Sequence, residues 1–348
     1  MGSCNSSRTT RRNRSSNLGA FRVLITLQRR VLHLRSPLVT AHGSTSERHI
    51  IEISVQEGKF CGYGEASPLP GFGLESFQEA ESALNNWVQN PDQLPTSPAA
   101  LSGAATALEY LAFAKRGDSL PPASIAVQAL VGASEISDVE AQVAQAIDAG
   151  YPAVKLKVAA TNTSADIERI RVAATLTNEI ALLRLDANGG WSTNEASQVL
   201  RAVADEQIDL VEEPTQDPSE WRAISTQTGL DIGADEHLSG ALQIDRILEL
   251  DAVHTFVLKP SVLGGPGFTR QLASRAGEHN IRVLISSFLD GPIALRAARD
   301  LALDLAPHEI HGLGTAALFV DELPADVRPV KGRIFRREQR FTNTSISQ

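Results

Sequence analysis

Cysteine is scarce in this chain, and long apolar runs are absent. The 348 residues include two cysteines, Cys4 and Cys61, which excludes a disulfide framework and zinc-finger spacing. No stretch of about 18 apolar residues exists, so no transmembrane helix is predicted. The net charge of −9 argues against a nucleic-acid binder, because such proteins present a basic surface. We therefore predict a globular, cytoplasmic protein without a nucleic-acid or membrane partner.

Acidic residues are missing from the first 46 positions, which contain eight arginines. Residues 1–20 are rich in serine and arginine, and we predict a disordered or targeting extension there. An organelle transit peptide is one interpretation, and Gly2 with Ser6 also fits the loose myristoylation pattern. The alternative is a plain disordered extension or a start codon placed too early. Import into an organelle therefore stays open.

Lysine is also scarce, since only six of the 32 basic residues are lysine. Arginine serves wherever a plain surface cation is enough. Arginine cannot act as a titratable base, whereas lysine can. The position of each lysine is therefore informative about chemistry.

The first part of the chain has the pattern of an α+β domain, which we predict over residues 21–120. Residues 21–35 and 49–63 are predicted as strands, the second with a turn at Glu57-Gly58. A loop rich in proline and glycine follows at 67–73. Two segments rich in alanine and leucine are predicted as helices, at 75–89 and 98–116.

From about residue 123, short apolar runs alternate with amphipathic helical stretches. Such alternation predicts βα units and a parallel barrel, which we place at 121–314. Residues 315–340 are predicted to return to the first domain, and 341–348 to form a polar tail. The eight runs are IAVQAL (125–130), AVKLKV (153–158), LLRLDA (182–187), IDLVEE (208–213), LDIGAD (230–235), HTFVLKP (254–260), RVLISS (282–287) and EIHGLG (309–314).

Helix start signals accompany two of these units. Ser137 with Glu140, and Ser192 with Glu195, have the spacing of capping boxes. Gly150 is predicted to end the first of these helices.

Two lysines lie on the second run, AVKLKV. Lys155 and Lys157 are two residues apart on a strand and therefore share one face. The other face is apolar, as expected beneath a helix, so both lysines should point into the barrel. Two buried ammonium groups repel each other and lose hydration, so at least one pKa should fall. A lysine base near neutral pH needs that depression. Alternatively, the pair could belong to an exposed edge strand.

Acidic residues end the next three runs. Asp186, Glu212 and Asp235 each follow a different strand, where barrel enzymes carry their catalytic groups. Three converging carboxylates require a cation, and all-oxygen ligands favour Mg²⁺ or Mn²⁺ over zinc. Lys259 ends the sixth run, on the side of the barrel opposite the lysine pair.

Each of these residues has a plainer interpretation when taken alone. Any single acid at a strand end could be a helix N-cap. Glu213 and Glu236, beside the predicted ligands, are interpreted as supporting or capping groups. Ser286 and Ser287 could line the site or only satisfy backbone groups. Structural roles are favoured for the histidines, and no phosphate-binding glycine pattern is present. The combination in order is more specific than its parts.

These motifs resemble those of the enolase superfamily, in its muconate-lactonising branch. The KxK, DAN, EEP, ADE and KP motifs occur in that family's order across about residues 21–335. The resemblance implies a modified (β/α)₇β TIM-type barrel with an N-terminal α+β capping domain. It implies Asp186, Glu212 and Asp235 as metal ligands, Lys157 as the principal base with Lys155 beside it, and Lys259 on the opposite face.

Within that branch, three segments are similar to the o-succinylbenzoate synthase family. They are GYGEASPLPGFGLESF (62–77), ISSFLDGPIAL (285–295) and HGLGTAALF (311–319). This resemblance implies a lyase of menaquinone biosynthesis that dehydrates 2-succinyl-6-hydroxy-2,4-cyclohexadiene-1-carboxylate through an enediolate. It also implies Asn188, Ser286, Ser287 and Gly312 as substrate-binding residues. Loops 37–44 and 67–77 would close over this small-molecule carboxylate.

Other activities on the same residues stay open. An N-acylamino acid racemase, a dipeptide epimerase or a muconate cycloisomerase would use the same acids and lysines. The DxD motif usual near the eighth strand of dipeptide epimerases is absent here. A barrel without activity that serves as a binding protein is a further alternative. The sequence leaves the oligomeric state, including a homo-oligomer, open.

Overall fold

The computed structural model describes residues 23–40, 43–69 and 75–340. The predicted extension at 1–20 and the tail at 341–348 lie outside the described residues. The same holds for positions 41–42 and 70–74 of the two loops predicted to close over substrate. Within the described ranges, no helix has both the length and the hydropathy that a bilayer crossing requires.

The N-terminal part is an antiparallel sheet of three strands covered by two helices. Its order is β1-β2-β3, and the turn predicted within 49–63 divides that segment into the paired strands β2 and β3. The turn lies at Gly58-Lys59, one residue later than predicted. The elements are β1 (Val23–Thr40), β2 (Gly43–Glu57), β3 (Phe60–Ala66), α1 (Phe77–Gln89) and α2 (Pro98–Arg116).

Glycines allow α2 to pack directly on β3. A Cβ atom at Gly64 would lie 1.9 Å from the carbonyl oxygen of Gly103, so the two backbones leave no room for a side chain. Gly62 meets Ala107 in the same way. The GYGEA sequence of β3 is therefore required by helix packing as well as by strand formation.

Gly64→Ala is expected to lower the free energy of unfolding by about 3 kcal/mol, because the added methyl group overlaps backbone. Urea unfolding would measure the change. Gly267→Ala is the matched control, since a Cβ there meets nothing within 4 Å. Equal stability of the two variants would show that β3 and α2 separate without penalty.

The second part is a curled parallel sheet whose strands alternate with helices. Seven strands follow one another in the order β12 to β6, each pair parallel. Three further strands, β4, β5 and β13, lie before or after this sheet in the chain, and the helices cover its outside. The elements are β4 (Ser119–Leu120), β5 (Ala123–Val127), β6 (Ala129–Val131), α3 (Ile136–Asp148), β7 (Ala153–Lys157), α4 (Thr163–Thr177), β8 (Leu182–Asp186), α5 (Thr193–Ala202), β9 (Ile208–Glu212), α6 (Trp221–Thr228), β10 (Ile232–Ala234), α7 (Ala241–Leu250), β11 (Thr255–Leu258), α8 (Pro260–Leu263), α9 (Pro266–Glu278), β12 (Arg282–Ile285), α10 (Pro292–Leu305) and β13 (Ile310–His311).

The barrel closes through β13 and β5. Ile310 and His311 pair with β5, and Gly312 forms a parallel bridge with Ser286 at the end of β12. The predicted first strand, 125–130, is interrupted at Gln128, whose N–H donates to the carbonyl of His311. Seven strands have a helix after them and the eighth does not. The fold is therefore the α/β modified (β/α)₇β barrel with an N-terminal capping domain that the motifs implied.

The chain then runs back along the barrel. Val320 donates its backbone N–H to the carbonyl of His33 on β1, and β14 (Arg333–Arg336) pairs antiparallel with β5. A last strand, β15 (Gln339–Arg340), pairs with β4. The assignment of 315–340 to the first domain stays a prediction.

Of the two predicted capping boxes, the structure has the one at α5 but not the one at α3. The Ser192 hydroxyl accepts from Glu195 N–H and the Glu195 carboxylate accepts from Ser192 N–H, which confirms that capping box. The Ser137–Glu140 box is wrong, because α3 begins two residues earlier than predicted, with Glu135 as its N-cap. Gly150, at φ 79°, follows the end of α3 as predicted.

Candidate active site

Five of the predicted residues lie at one edge of the barrel. Lys157, Asp186 and Glu212 are the last residues of β7, β8 and β9, and they stand in register. Asp235 and Lys259 come directly after β10 and β11. Strand ends of a parallel barrel meet at one rim, so the chain order of the motifs becomes a ring of charged side chains.

A cavity opens at this rim. Asp235 lies in an adjoining pocket that shares Glu236, Lys259 and Phe288, and Glu212 lies beneath, with 1% of its surface exposed. The predicted residues that line the main cavity are Lys155, Lys157, Asp186, Asn188, Lys259, Ser286, Ser287 and Gly312.

Ion pairs join the lysines to the acids. Lys155 Nζ lies 2.7 Å from Asp186 Oδ2 and also donates to Glu212 Oε2. Lys157 Nζ donates to the same Asp186 oxygen at 2.6 Å and to Asn188 Oδ1 at 2.7 Å. Across the rim, Lys259 Nζ lies 2.6 Å from Asp235 Oδ2.

The ion pairs of Lys155 oppose the fall in pKa that was predicted for one of the two lysines. Burial does lower the pKa of Lys155, but the carboxylates of Asp186, Glu212 and Asp235 together outweigh it and raise that pKa well above its usual value. Burial also lowers the pKa of Lys259, but the carboxylates of Asp235 and Glu236 outweigh it and raise that pKa above its usual value. The sequence showed two lysines on one face, but not how many carboxylates would approach them.

The donor chemistry of the rim fits a divalent cation. Asp186, Glu212 and Asp235 are at most 6% exposed, and the buried Glu212 Oε1 has no hydrogen-bond partner within residues 23–40, 43–69 and 75–340. Carboxylate oxygens are the ligands that Mg²⁺ and Mn²⁺ prefer. Among the residues that the structure describes, no three His, Cys, Asp or Glu side chains are already grouped around a metal position. The lysine ammonium groups lie against the carboxylates instead. A cation would take over oxygens that the lysines now hold.

Glu213 and Glu236 differ in role, although both were predicted as supporting groups. Glu213 accepts from the backbone N–H groups of Asp235 and His237 and from His237 Nδ1, which fixes the loop after β10. Glu236 instead points into the cavity. Its Oε1 accepts from Asn188 Nδ2 at 3.0 Å and lies 3.6 Å from Lys259 Nζ. Glu236 is thus a fourth carboxylate of the site.

Hydroxyl groups form the opposite wall. Ser286 and Ser287 each donate to the carbonyl of Gly312, and Ser287 contacts the hydroxyl of Thr315 at 2.6 Å. A Cβ at position 312 would lie 2.4 Å from Ser286 Oγ, so glycine is required there. The two serine hydroxyls can hydrogen-bond a polar ligand, and the absence of a side chain at Gly312 leaves space for the hydroxyl of Ser286.

His311 supports this wall from below and is fully buried. Its Nδ1 accepts from the backbone N–H of Ile285, and Nε2 contacts the carbonyl of Ala306. One ring nitrogen must stay unprotonated to accept, and burial lowers the pKa of His311 to about 4. A structural role, as predicted for the histidines, agrees with these contacts.

The stability of the protein should fall in acid because of His311. The unfolded chain binds a proton near the ordinary pKa of 6.5, whereas the folded chain resists it until about 4. The contribution of neutral His311 to the free energy of unfolding is therefore complete above pH 6.5 and declines as the pH falls. From about pH 7.5 to about pH 5, wild type should lose about 2 kcal/mol more than His311→Asn. Urea titrations would measure the free energy of unfolding of both proteins. If both lose the same amount between these pH values, His311 is not the cause of the loss of stability in acid.

Several cavity residues were not predicted from the sequence. Phe288, Leu289 and Thr315 lie inside segments that were recognised only as wholes. Leu69 belongs to the loop predicted at 67–77, and Gln128 lies between β5 and β6. Apolar side chains carry no signal of catalysis by themselves. Only the closure of the barrel brings them beside the lysines.

Comparison with known families agrees with this architecture. Residues 138–338 match the family described as "Enolase C-terminal domain-like". Residues 24–110 match the family described as "MenC, N-terminal domain". Together the two matches cover the barrel from α3 onward and most of the capping sheet with its helices.

Individual proteins give the same result. An o-succinylbenzoate synthase of Salmonella dublin is 30% identical over 80% of this chain and 86% of its own. The structure of an N-succinyl Arg/Lys racemase from Bacillus cereus has a TM-score of 0.81 at 22% identity, over 94% of this chain and 96% of that one. An L-Ala-D/L-Glu epimerase from Bacillus subtilis has a TM-score of 0.79 at 20% identity, over 91% and 99%. At these identities, the two structures establish the fold alone.

Proposed function

The chain belongs to the enolase superfamily, and we propose that it catalyses the dehydration of 2-succinyl-6-hydroxy-2,4-cyclohexadiene-1-carboxylate to o-succinylbenzoate. The observation that supports this most is the placement of Lys157 and Lys259 in one cavity beside three buried carboxylates. Such a site suits removal of a proton next to a carboxylate. The similarity to o-succinylbenzoate synthases over most of the chain supports this substrate.

Charge balance supports a cation and an anionic substrate together. Three ammonium groups, of Lys155, Lys157 and Lys259, face four carboxylates, of Asp186, Glu212, Asp235 and Glu236, which leaves one negative charge. An anionic substrate would be repelled from such a site. A bound Mg²⁺ or Mn²⁺, held by Asp186, Glu212 and Asp235, would reverse that sign and stabilise charge on the substrate carboxylate.

Lys157 is the proposed base. It is the last residue of β7, and Arg169 holds its carbonyl at 2.7 Å, so its backbone is fixed at the rim. As a neutral amine, Lys157 would accept the substrate α-proton and become an ammonium ion. The C–H electrons then expel the hydroxide, and the same ammonium gives its proton to the departing oxygen. Proton and hydroxide leave from one face as water.

Lys259 is proposed to remain an ammonium ion on the other face. Asp235 lies beside it, and the ring of Phe288 stands with its centroid 5.3 Å from Nζ. A cation there attracts the electron-rich ring of the substrate as it becomes conjugated. Asn188, Ser286 and Ser287 would hydrogen-bond the substrate or its ligands, with Gly312 giving Ser286 its place.

Racemisation of an N-succinylamino acid is the second candidate, because lysines on two faces can deliver a proton to either side. An N-succinyl Arg/Lys racemase and an L-Ala-D/L-Glu epimerase share this fold, which is compatible with such an activity. Purified protein with Mg²⁺ would be offered the cyclohexadiene carboxylate and, separately, N-succinylamino acids in deuterated water. Aromatic product without deuterium uptake by the amino acids supports dehydration. Deuterium uptake without aromatic product would replace the proposal.

A further inference from the structure

A loop after β12 brings Phe288 to Lys259, and this loop is held from the other domain. Leu289 and Phe288 line the cavity, and the Phe288 ring centroid is 5.3 Å from Lys259 Nζ. Leu289 has a φ of 53°, a left-handed conformation that leucine rarely adopts. Backbone of this kind persists only where the surroundings enforce it. The loop, defined here as residues 288–291, therefore needs an external restraint.

Arg48 of β2 supplies the first restraint. It is 1% exposed, and its guanidinium makes its four hydrogen bonds to backbone carbonyls. Two go to Phe288 and Leu289, at 3.2 and 3.0 Å, and two go to Ser67 and Pro68, at 2.8 and 2.7 Å. Arg48 thus joins loop 288–291 to the segment that carries Leu69, another residue of the cavity wall.

Glu65 of β3 supplies the second restraint. Its carboxylate is 2% exposed and accepts from the N–H groups of Gly291 and Ile293 at 2.6 and 3.1 Å. It therefore caps α10, whose own N-cap residue, Gly291, has no side chain. A Cβ at Gly291 would lie 2.7 Å from Glu65 Oε2, so glycine is needed for this approach.

Asp290 closes the connection to Lys259. One of its oxygens accepts from Phe288 N–H at 3.0 Å, and the other accepts from the Ser261 hydroxyl at 2.8 Å. Ser261 lies two residues after Lys259. The loop is therefore tied at both sides of Phe288 and to the strand end that carries the lysine.

We propose that Arg48 and Glu65 are positioning residues that act from the capping domain through loop 288–291, holding Phe288 against Lys259. This inference rests on the proposed function, in which Lys259 stays an ammonium ion facing the substrate. Neither residue touches the cavity. Both act by fixing the backbone on either side of an aromatic ring.

Glu65→Gln keeps the shape of the side chain and removes one strong acceptor. It should lower kcat between about 10- and 100-fold with a smaller change in KM, because Lys259 is misplaced relative to the reacting ring. Glu109→Gln is the matched control. Glu109 also joins the two domains, through Arg270 at 2.9 Å, but it does not contact loop 288–291. It should leave kcat within about twofold.

A double-mutant cycle with Phe288→Leu separates positioning from general loss of stability. If Glu65 acts through Phe288, the double variant should be no slower than Phe288→Leu alone. Purely additive losses in kcat would overturn the proposal. Arg48→Lys, which keeps the buried charge, provides the same cycle if Glu65→Gln does not fold.

A readout without substrate keeps this test independent of the proposed function. N-hydroxysuccinimidyl acetate would label lysines in the intact protein, and peptide mass spectrometry would compare Lys259 with Lys157. In Glu65→Gln the ratio of labelling at Lys259 to Lys157 should rise several-fold, because Phe288 no longer covers Nζ. An unchanged ratio would overturn the proposal even if dehydration is observed. A raised ratio in a protein without dehydratase activity would support it while rejecting the substrate.

Discussion

Lys157→Ala is expected to lower kcat for dehydration by a factor on the order of 10⁴, since it removes the base proposed to take the α-proton from that face. Lys157 ends β7 in register with Asp186, and its ammonium reaches both Asp186 and Asn188. Lys155 cannot replace it easily, because its Nζ is buried between Asp186 and Glu212. Steady-state kinetics in saturating Mg²⁺ would measure the change.

The control for Lys157→Ala is Lys115→Ala, which removes an exposed lysine that pairs with Glu57. It should leave kcat unchanged. Metal affinity of Lys157→Ala, measured by calorimetry, should remain or increase, because an ammonium group that competes for Asp186 has gone. Turnover within about tenfold of wild type would remove Lys157 from the role of base.

Asp235→Asn is expected to lower the affinity for Mg²⁺ or Mn²⁺ by more than about 100-fold. Loss of a residue that only hydrogen-bonds a metal ligand lowers the affinity by about 10- to 100-fold. Asp235 is 6% exposed and follows β10, where Glu213 fixes its backbone N–H. The amide keeps the shape of the carboxylate but removes the charge that a hard cation requires. Isothermal titration of metal into the protein would give the affinity directly.

Asp231→Asn is the matched control, because Asp231 precedes the same strand at its other end and is exposed. It should bind metal as wild type does. An unchanged affinity in Asp235→Asn would mean that the predicted ligand set is wrong. Loss of affinity in both variants would point to a general effect of net charge instead.

The strand ends could be predicted from the sequence because a parallel barrel turns chain order into spatial order. An apolar run that ends in a polar residue fixes both the strand and the rim, as AVKLK and LLRLD do at Lys157 and Asp186. Local helix signals were less certain. Ser192 caps α5 as its spacing predicted, whereas Glu135 displaced Ser137 at α3.

Other features depend on contacts that no local pattern encodes. Glu65 and Gly291 are 226 positions apart, and only domain packing brings the carboxylate to the helix. Likewise, the raised pKa of Lys155 depends on carboxylates from three further strands. The first barrel strand is interrupted at Gln128, where the chain changes from pairing with β13 to pairing with β7.

The most direct test of the proposed function is an ultraviolet assay of purified protein with the cyclohexadiene carboxylate, with Mg²⁺ and then with a chelator. We expect the aromatic product to form with Mg²⁺, to cease with the chelator, and to return when Mg²⁺ is restored. A protein that binds Mg²⁺ tightly but forms no aromatic product would contradict the proposed dehydration, while leaving the barrel and its ring of acids and lysines intact.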